Sequence, residues 1–461
     1  MFRYFSINQP RPTISDSAEA DPPGSSGALT GPWAVIAIDW AGDIWQTYIQ
    51  LLHHFHDRTW LSDISHDQQE MRVKDIAERI LSYRRRLSAV RRDLHRIPEL
   101  GYRESKTSTY VADYLGRESL DVTEGIAGTG VMGLLETGRS GPTLLIRADM
   151  DALPIEEGTG LPFASTHPGT MHACGHDGHM AMALVTATVL NRLKDRLHGT
   201  VKFVFQPAEE GPGGAKPMIT AGVMDDPLVD YVLGCHIWPN LPEGTIGIRT
   251  GVLMAAMFSF EITIQGKGGH GAMPHQCVDA LETGCQVVGA LQRVVSRKMD
   301  PLSPSVVTVG RFHAGTTFNV IPETASLCGT ARTFDRDVWQ RWPEIIETVV
   351  KGVCQSMGAD YEFAYEQGYP PTVNDPEMAD KLRPIAAGVV GADRVVVPEK
   401  TLGGEDFAYF LEKAKGCFFC LGAGNPAFAG IHNARFNFNE DILGNGVQMY
   451  CRAAMDLLGV P

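Results

Sequence analysis

From Ser105 to Gln206 strand-like and helix-like stretches alternate: a helical pattern at 105–120, apolar strands at 130–135 and 143–148, a helix at 178–193 and a strand at 200–206. Helices recurring between strands bury the two faces of a sheet in an α/β layer architecture. Ahead of them Val73, Ile76, Ile80, Leu81, Leu87, Val90 and Leu94 recur at helical spacing, which predicts an amphipathic opening helix that ends before Pro98. Near Met257 the order changes to a strand at 258–265, a glycine-rich turn, a helix at 278–295, strands at 305–313 and 324–333, a helix at 337–357 and a strand at 361–365. This β-α-β-β-α-β succession is the ferredoxin-like order. The expected fold is therefore α/β. Residues 71–256 and 369–461 form a larger domain with a mixed central sheet flanked by helices, and residues 257–368 form a smaller ferredoxin-like domain inserted into it.

A chain of 461 residues exceeds what one hydrophobic core usually organises, in keeping with two domains. Residues 1–70 read as an extension, largely disordered, because the first thirty are rich in Pro, Ser, Gly and Asp. Its later part carries His53, His54, His56 and His66, better read as a short helix or docking segment than as a metal tract, and Met71 could serve as an alternative start. Asp39 and Asp43 interrupt the only leader-like stretch, and no run of about eighteen apolar residues exists, so neither secretion nor a membrane span is expected. A formal net charge of -14 without any basic, aromatic-interleaved run disfavours nucleic acid. Nine scattered cysteines show no disulfide framework and fit a reducing compartment, the cytoplasm. Cys417 and Cys420 flank two phenylalanines and read as part of a buried strand rather than as a redox or zinc motif.

The unusual polar residues follow the ends of the apolar strands: Asp149 and Asp151, Glu209 and Glu210, His236, and later His432. In open α/β sheets such positions converge on one crevice. The densest stretch is Met171-His172-Ala173-Cys174-Gly175-His176-Asp177-Gly178-His179. Cys174 and His176, two apart, do not face each other on a helix, so a shared metal requires a loop, with Asp177 a candidate N-cap of the following helix. The bland alternative is a capped turn with one buried thiol. A helical pair of His172 and His176 is disfavoured by the glycine between them, and His172 and His179 are assigned supporting roles. Glu209-Glu210 before Gly211-Pro212-Gly213-Gly214 suits one carboxylate on a metal and its neighbour on water, although solvated charge at a helix start is the commoner fate of such a pair.

Taken together, R-R-D-L-H-R-I-P-E-L-G at 91–101, R-A-D-M-D-A-L-P at 147–154, M-H-A-C-G-H-D-G-H at 171–179, F-Q-P-A-E-E-G at 205–211, H-I-W-P at 236–239, G-K-G-G-H-G-A-M-P-H at 266–275, F-N-V-I-P at 318–322 and G-G-E-D-F at 403–407 resemble a known family. It is the aminoacylase and carboxypeptidase superfamily of two-metal hydrolases, in the branch of hippurate hydrolase, N-acetyldiaminopimelate deacetylase and the plant indole-acetyl-amino-acid hydrolases. The similarity runs from about residue 80 to the C-terminus. The resemblance implies two divalent ions, zinc or manganese, bridged by Cys174, with His176 and His236 completing one and Glu210 and His432 the other. It implies Glu209 as general base, deprotonating the attacking water and returning the proton to the departing amine. Asp149 stands where the wider superfamily has a metal-binding histidine, which implies that His176 takes over and that Asp151 orients ligands rather than binding metal. His270 and Asn319 match residues that reach the reacting carbonyl, His270 often from a neighbouring subunit, which implies a homodimer or larger homo-oligomer. Arg332 matches a position associated with the substrate carboxylate.

The activity so implied is hydrolysis of the amide bond of N-acyl amino acids, with carboxypeptidase or dipeptidase action on small peptides as the alternative. A Cys174 nucleophile with His176 as its base, or a non-catalytic binding protein on the same fold, are the remaining readings. Gly403-Gly404-Glu405-Asp406 reads as a glycine loop at a helix start whose carboxylates line the pocket, rather than as a second acid–base pair.

Overall fold

The computed structural model describes residues 66–459. The extension through residue 65, with His53, His54 and His56, lies outside the described residues. Helix α1 (His66–His95) starts ahead of the expected Val73 and runs through the boundary placed at residue 70. Ile80, Leu87, Val90 and Leu94 are buried along one face, while Leu81 points to solvent. There follow α2 (Ser105–Arg117), β1 (Asp121–Ile126), β2 (Gly130–Glu136), β3 (Thr143–Asp149), α3 (His176–Arg192), β4 (Thr200–Gln206), α4 (Ala215–Thr220), β5 (Tyr231–Pro242), β6 (Ile246–Gly247) and β7 (Gly251–Met254). Every residue of α3 from His176 to Leu190 is buried, as its all-round apolar sequence requires. Gly178 permits this: a Cβ there would lie 2.6 Å from Ile237 Cδ1, so only glycine lets the first turn of α3 press against β5.

Next come β8 (Ala256–Gln265), β9 (Gly269–His270), α5 (Ala280–Lys298), β10 (Ser305–Ala314), β11 (Val320–Ile321), β12 (Thr324–Thr333), α6 (Arg336–Met357) and β13 (Asp360–Glu366). The four long strands form an antiparallel sheet in the order β10-β12-β8-β13. Burial along β8 alternates, and Phe258, Phe260, Ile262 and Ile264 pack with Leu291 of α5 and Trp342 of α6 in a cluster separate from the main core. Asp279 and Asp335 accept the first backbone N–H groups of α5 and α6, which fixes where each helix begins.

The chain then passes through β14 (Thr372–Asn374), α7 (Pro376–Val390), β15 (Val395–Val396), α8 (Ala408–Leu411), β16 (Lys415–Gly424) and α9 (Leu443–Leu458). The main sheet has eight strands in the order β1-β2-β4-β3-β5-β16-β6-β15. It is mixed as expected: β3 runs parallel to β4 and β5, β5 parallel to β16, and β1 antiparallel to β2. Cys417 and Cys420 are buried in β16, in the strand anticipated for them. The chain crosses between the two sheets twice, where β7 pairs antiparallel with β14 and the Met257 N–H donates to Tyr369 O at 2.8 Å. Among the described residues no helix is long and apolar enough to cross a membrane.

Candidate metal centre

Because β3, β4 and β5 are parallel neighbours, their carboxyl ends open on the same edge, and the chain leaves each on a polar residue. Asp149 ends β3 and Asp151 follows it. After β4, Ala208 adopts a left-handed φ of 55°, which turns the backbone sharply before Glu209 and Glu210. Glu104 holds that turn: one oxygen accepts the Ala208 N–H at 2.9 Å and the other the Thr129 hydroxyl at 2.6 Å. His236 lies within β5. Cys174 precedes Gly175, whose φ of 90° begins α3 and makes His176 its first residue. His176 is thus helical rather than on a loop. The N-cap position is Gly175, not Asp177, whose carboxylate turns away to the Arg91 Nε and His95 Nδ1, both at 2.8 Å. His172 lies outside α3, which excludes a helical pair with His176. His432, also left-handed at φ 60°, is held by its own N–H donating to Ala173 O at 2.7 Å.

These residues converge. The ligand atoms of Cys174, His176 and His236 lie within 4.8 Å of one another, and so do those of Cys174, Glu210 and His432; Cys174 is common to both groups. Cys174 Sγ is 3.4 Å from His236 Nε2, and His432 Nε2 is 3.1 Å from Glu210 Oε1. The imidazoles are set for coordination through Nε2. His236 Nδ1 lies 2.7 Å from Ile237 O and His176 Nδ1 lies 2.9 Å from Asp151 O, so each Nδ1 donates to a carbonyl and each Nε2 is the atom turned toward the other candidate ligands. Asp151 also accepts the Glu210 N–H at 2.9 Å, placing one residue behind two ligand positions. His179 bridges Asp149 Oδ1 at 2.7 Å and the Ile237 N–H at 2.9 Å, the supporting position foreseen for it.

The electrostatics of the cluster favour a cation. His176 Nε2 is buried without a hydrogen-bond partner among the described residues, amid Asp149, Glu209 and Glu210 at 3.8–3.9 Å. Burial alone would lower its pKa, but Asp149, Asp151 and Glu210 overcome this and raise it to about 10. His236, farther from those carboxylates, is depressed to about 3 by burial and by His179. Burial pushes the Cys174 thiol well up, and the Glu210 and Glu209 carboxylates push it further. The Glu209 carboxyl is likewise raised, by burial and then by Glu405 and Glu210. A thiol, three imidazoles and a carboxylate, with the His176 Nε2 buried and unpartnered among the described residues, fit a metal site.

The crevice opens as a cavity of about 400 Å³ between the two sheets, lined by Cys174, Glu209, His236 and His432 on one side and by Phe258 and Arg332 on the other. Arg332 of the smaller sheet therefore lines the same cavity as Cys174 and Glu209. His270 and Asn319 do not line this cavity; they sit exposed on the short β9–β11 ladder, where the Gly271 N–H donates to Asn319 O at 2.8 Å.

Several participants were not foreseen in the sequence. Arg147 is fully buried at the base of the site, with Nη1 on Asp149 Oδ2 at 2.7 Å, Nη2 on Glu405 and Asp406 at 3.0 Å each, and Nε on Gln206 Oε1 at 2.8 Å. Asp406 in turn accepts the N–H groups of Gly214 and Ala215, both at 2.9 Å. Tyr369 donates its hydroxyl to Glu209 O at 2.8 Å. An arginine inside an apolar strand was the available signal for the first cluster; Tyr369 carries none, because its partner is a backbone carbonyl.

Comparison with known proteins agrees with this geometry. An N-acyl-L-amino acid amidohydrolase of Geobacillus stearothermophilus is 49% identical over 287 residues, which cover 62% of this chain and 77% of that one. Thermostable carboxypeptidase 1 of Saccharolobus solfataricus is 41% identical over 373 residues, covering 79% and 94%. A solved Bacillus subtilis protein described as a dinuclear metal binding peptidase from the M20 family superposes with a TM-score of 0.72 at 37% identity, covering 82% of this chain and 99% of its own. Residues 145–456 match Peptidase family M20/M25/M40, and the chain, a hydrolase of amide bonds, belongs to that family.

Proposed function

We propose that the protein removes the acyl group from N-acyl amino acids by hydrolysing their amide bond, using two divalent ions, zinc or manganese. The observation that carries this reading is the single sulfur of Cys174 common to two ligand groups, one completed by His176 and His236 and the other by Glu210 and His432. When bound, such ions polarise the scissile carbonyl and acidify water. The Glu209 carboxylate, next to the ligand Glu210 and facing the cavity, takes the proton of the attacking water and passes it to the departing amine nitrogen. Asp151 orients His176 and Glu210. Arg332, on the opposite wall of the cavity, receives the substrate carboxylate.

Residues 257–368 act as an inserted ferredoxin-like domain between catalytic segments 71–256 and 369–461, an assignment supported by the β-α-β-β-α-β order and the separate apolar cluster. His270 and Asn319, exposed and outside their own chain's cavity, serve the site of a second copy, so the working unit is a homodimer or a larger homo-oligomer. Cysteines without disulfides among the described residues suit the cytoplasm.

Glu209→Gln is expected to keep two metal equivalents and lose turnover by about 10²–10⁴-fold; near-normal activity would refute the base assignment. A Cys174 nucleophile is disfavoured because its sulfur is shared by two clusters of possible ligands, one with His176 and His236 and one with Glu210 and His432. Activity that survives chelation yet is abolished by thiol alkylation would reinstate it. The carboxypeptidase reading is favoured by the Saccharolobus relative. Parallel assays on N-acetyl amino acids and on dipeptides choose between the two.

A further inference from the structure

We propose that Tyr369 is a positioning residue for Glu209, and that it ties the placement of that carboxylate to the double crossing between the two sheets. The inference rests on the reading of Glu209 as general base. Tyr369 is the third residue after β13, on the return crossing, and it is 8% exposed. Its hydroxyl donates to Glu209 O at 2.8 Å, on the backbone of the residue that carries the working side chain. Its own carbonyl accepts the Met257 N–H on the outgoing crossing at 2.8 Å. One residue thus touches the outgoing crossing through its backbone and the catalytic turn through its ring.

The crossing itself is stitched. Trp339 of α6 donates its indole N–H to Met257 O at 2.9 Å and Gln367 O at 2.7 Å, and Gln367 returns a bond from Nε2 to Trp339 O at 2.7 Å. Tyr409 donates to Gly368 O at 2.8 Å. The strands lie too close for side chains in two places: a Cβ on Gly368, whose φ is 58°, would lie 2.5 Å from Met257 O, and one on Gly213, whose φ is 104°, would lie 2.8 Å from the Tyr369 ring. On the far side of the turn Glu104 holds Ala208 N–H. Glu209 is therefore gripped from both ends, by a residue of the first catalytic segment and by a tyrosine whose location is set by the smaller sheet. A shift of the smaller sheet relative to the larger would pull on Glu209 O through Tyr369 and misplace the carboxylate.

The test compares Tyr369→Phe, Trp339→Phe, their double variant and Glu209→Gln, each purified with metal and assayed on the same N-acyl amino acid. Tyr369→Phe is expected to lower kcat about 10- to 100-fold, with KM within about threefold and metal content unchanged. Trp339→Phe should lower kcat in the same sense although it lies outside the cavity, and the double variant should lose little beyond Tyr369→Phe alone, because both act through one bond. Tyr369→Phe with kcat within twofold of the parent overturns the inference, as do losses that multiply in the double variant or a fall in metal content. If Tyr369→Phe fails to fold, a Trp339→Phe protein with full kcat overturns it alone. An active Glu209→Gln protein would instead remove the base assignment beneath it.

Discussion

Arg147→Met tests how the base of the site is held together. The guanidinium is buried among Asp149, Glu405 and Asp406, one cation for three carboxylates, with Gln206 on the remaining edge. Methionine matches its length but supplies neither charge nor donors, so the carboxylates lose their counter-ion without gaining water. Breaking a buried ion pair from one side costs about 3–5 kcal/mol, because a charge is left uncompensated. Burial raises Glu405 to about 8 with Arg147 opposing the rise, and Asp406 is raised as well. Without the arginine these folded-state pKa values climb further above their unfolded values, so the Glu405 part of the penalty develops as pH rises through 8 and recedes below it, where the carboxyl holds its proton in both proteins. Urea unfolding of metal-loaded protein at pH 9.0 and pH 6.0 reads both quantities. The deficit should be several kcal/mol at the higher pH and smaller at the lower. A deficit below about 1 kcal/mol at pH 9.0, or one that grows on acidification, would refute the reasoning.

Cys174→Ala should drop metal content well below two equivalents per chain by elemental analysis, since both ligand groups lose their shared sulfur; an unchanged content would count against bridging. Glu104→Ala strands the buried Ala208 N–H and should cost about 1–3 kcal/mol together with turnover, whereas Glu104→Gln, able to accept from Ala208 and donate to Thr129, should stay near the parent in both assays. Burial would lower the pKa of His95, but Asp177 and Glu157 raise it to about 8 from 6.5, so its contribution is present below pH 6.5 and lost as pH rises through 8. The stability gap between parent and His95→Gln should therefore shrink by about 2 kcal/mol across that window, and a gap independent of pH would contradict the pairing.

The larger sheet and the polar residues at its strand ends were legible because their cause is local. Apolar runs such as Val201–Phe205 state their period, and the polar residue after each run marks the strand end that faces the crevice. Helix starts were less legible. Asp177 has the chemistry of an N-cap, yet the long-range partners Arg91 and His95 claim it and Gly175 opens the helix instead. The opening helix begins at His66 rather than Val73, because residues 66–72 carry no apolar period from which its start could be read. Arg332 lines the cavity while His270 and Asn319 do not, and nothing in a local pattern says whether a loop serves its own chain or another copy. Arg147, Glu104 and Tyr369 went unread for one reason: each acts across more than a hundred residues, on a side chain or a backbone atom that no spacing rule connects.

His432 differs from its companions in one respect: half of its side chain is exposed, while those of Cys174, His176 and His236 are buried. The two ligand groups are therefore unequal in access. An ion held by Cys174, His176 and His236 would be enclosed by the protein interior, whereas one held by Glu210 and His432 would border the solvent. Removal by a chelator would then be stepwise, the outer position emptying before the inner one.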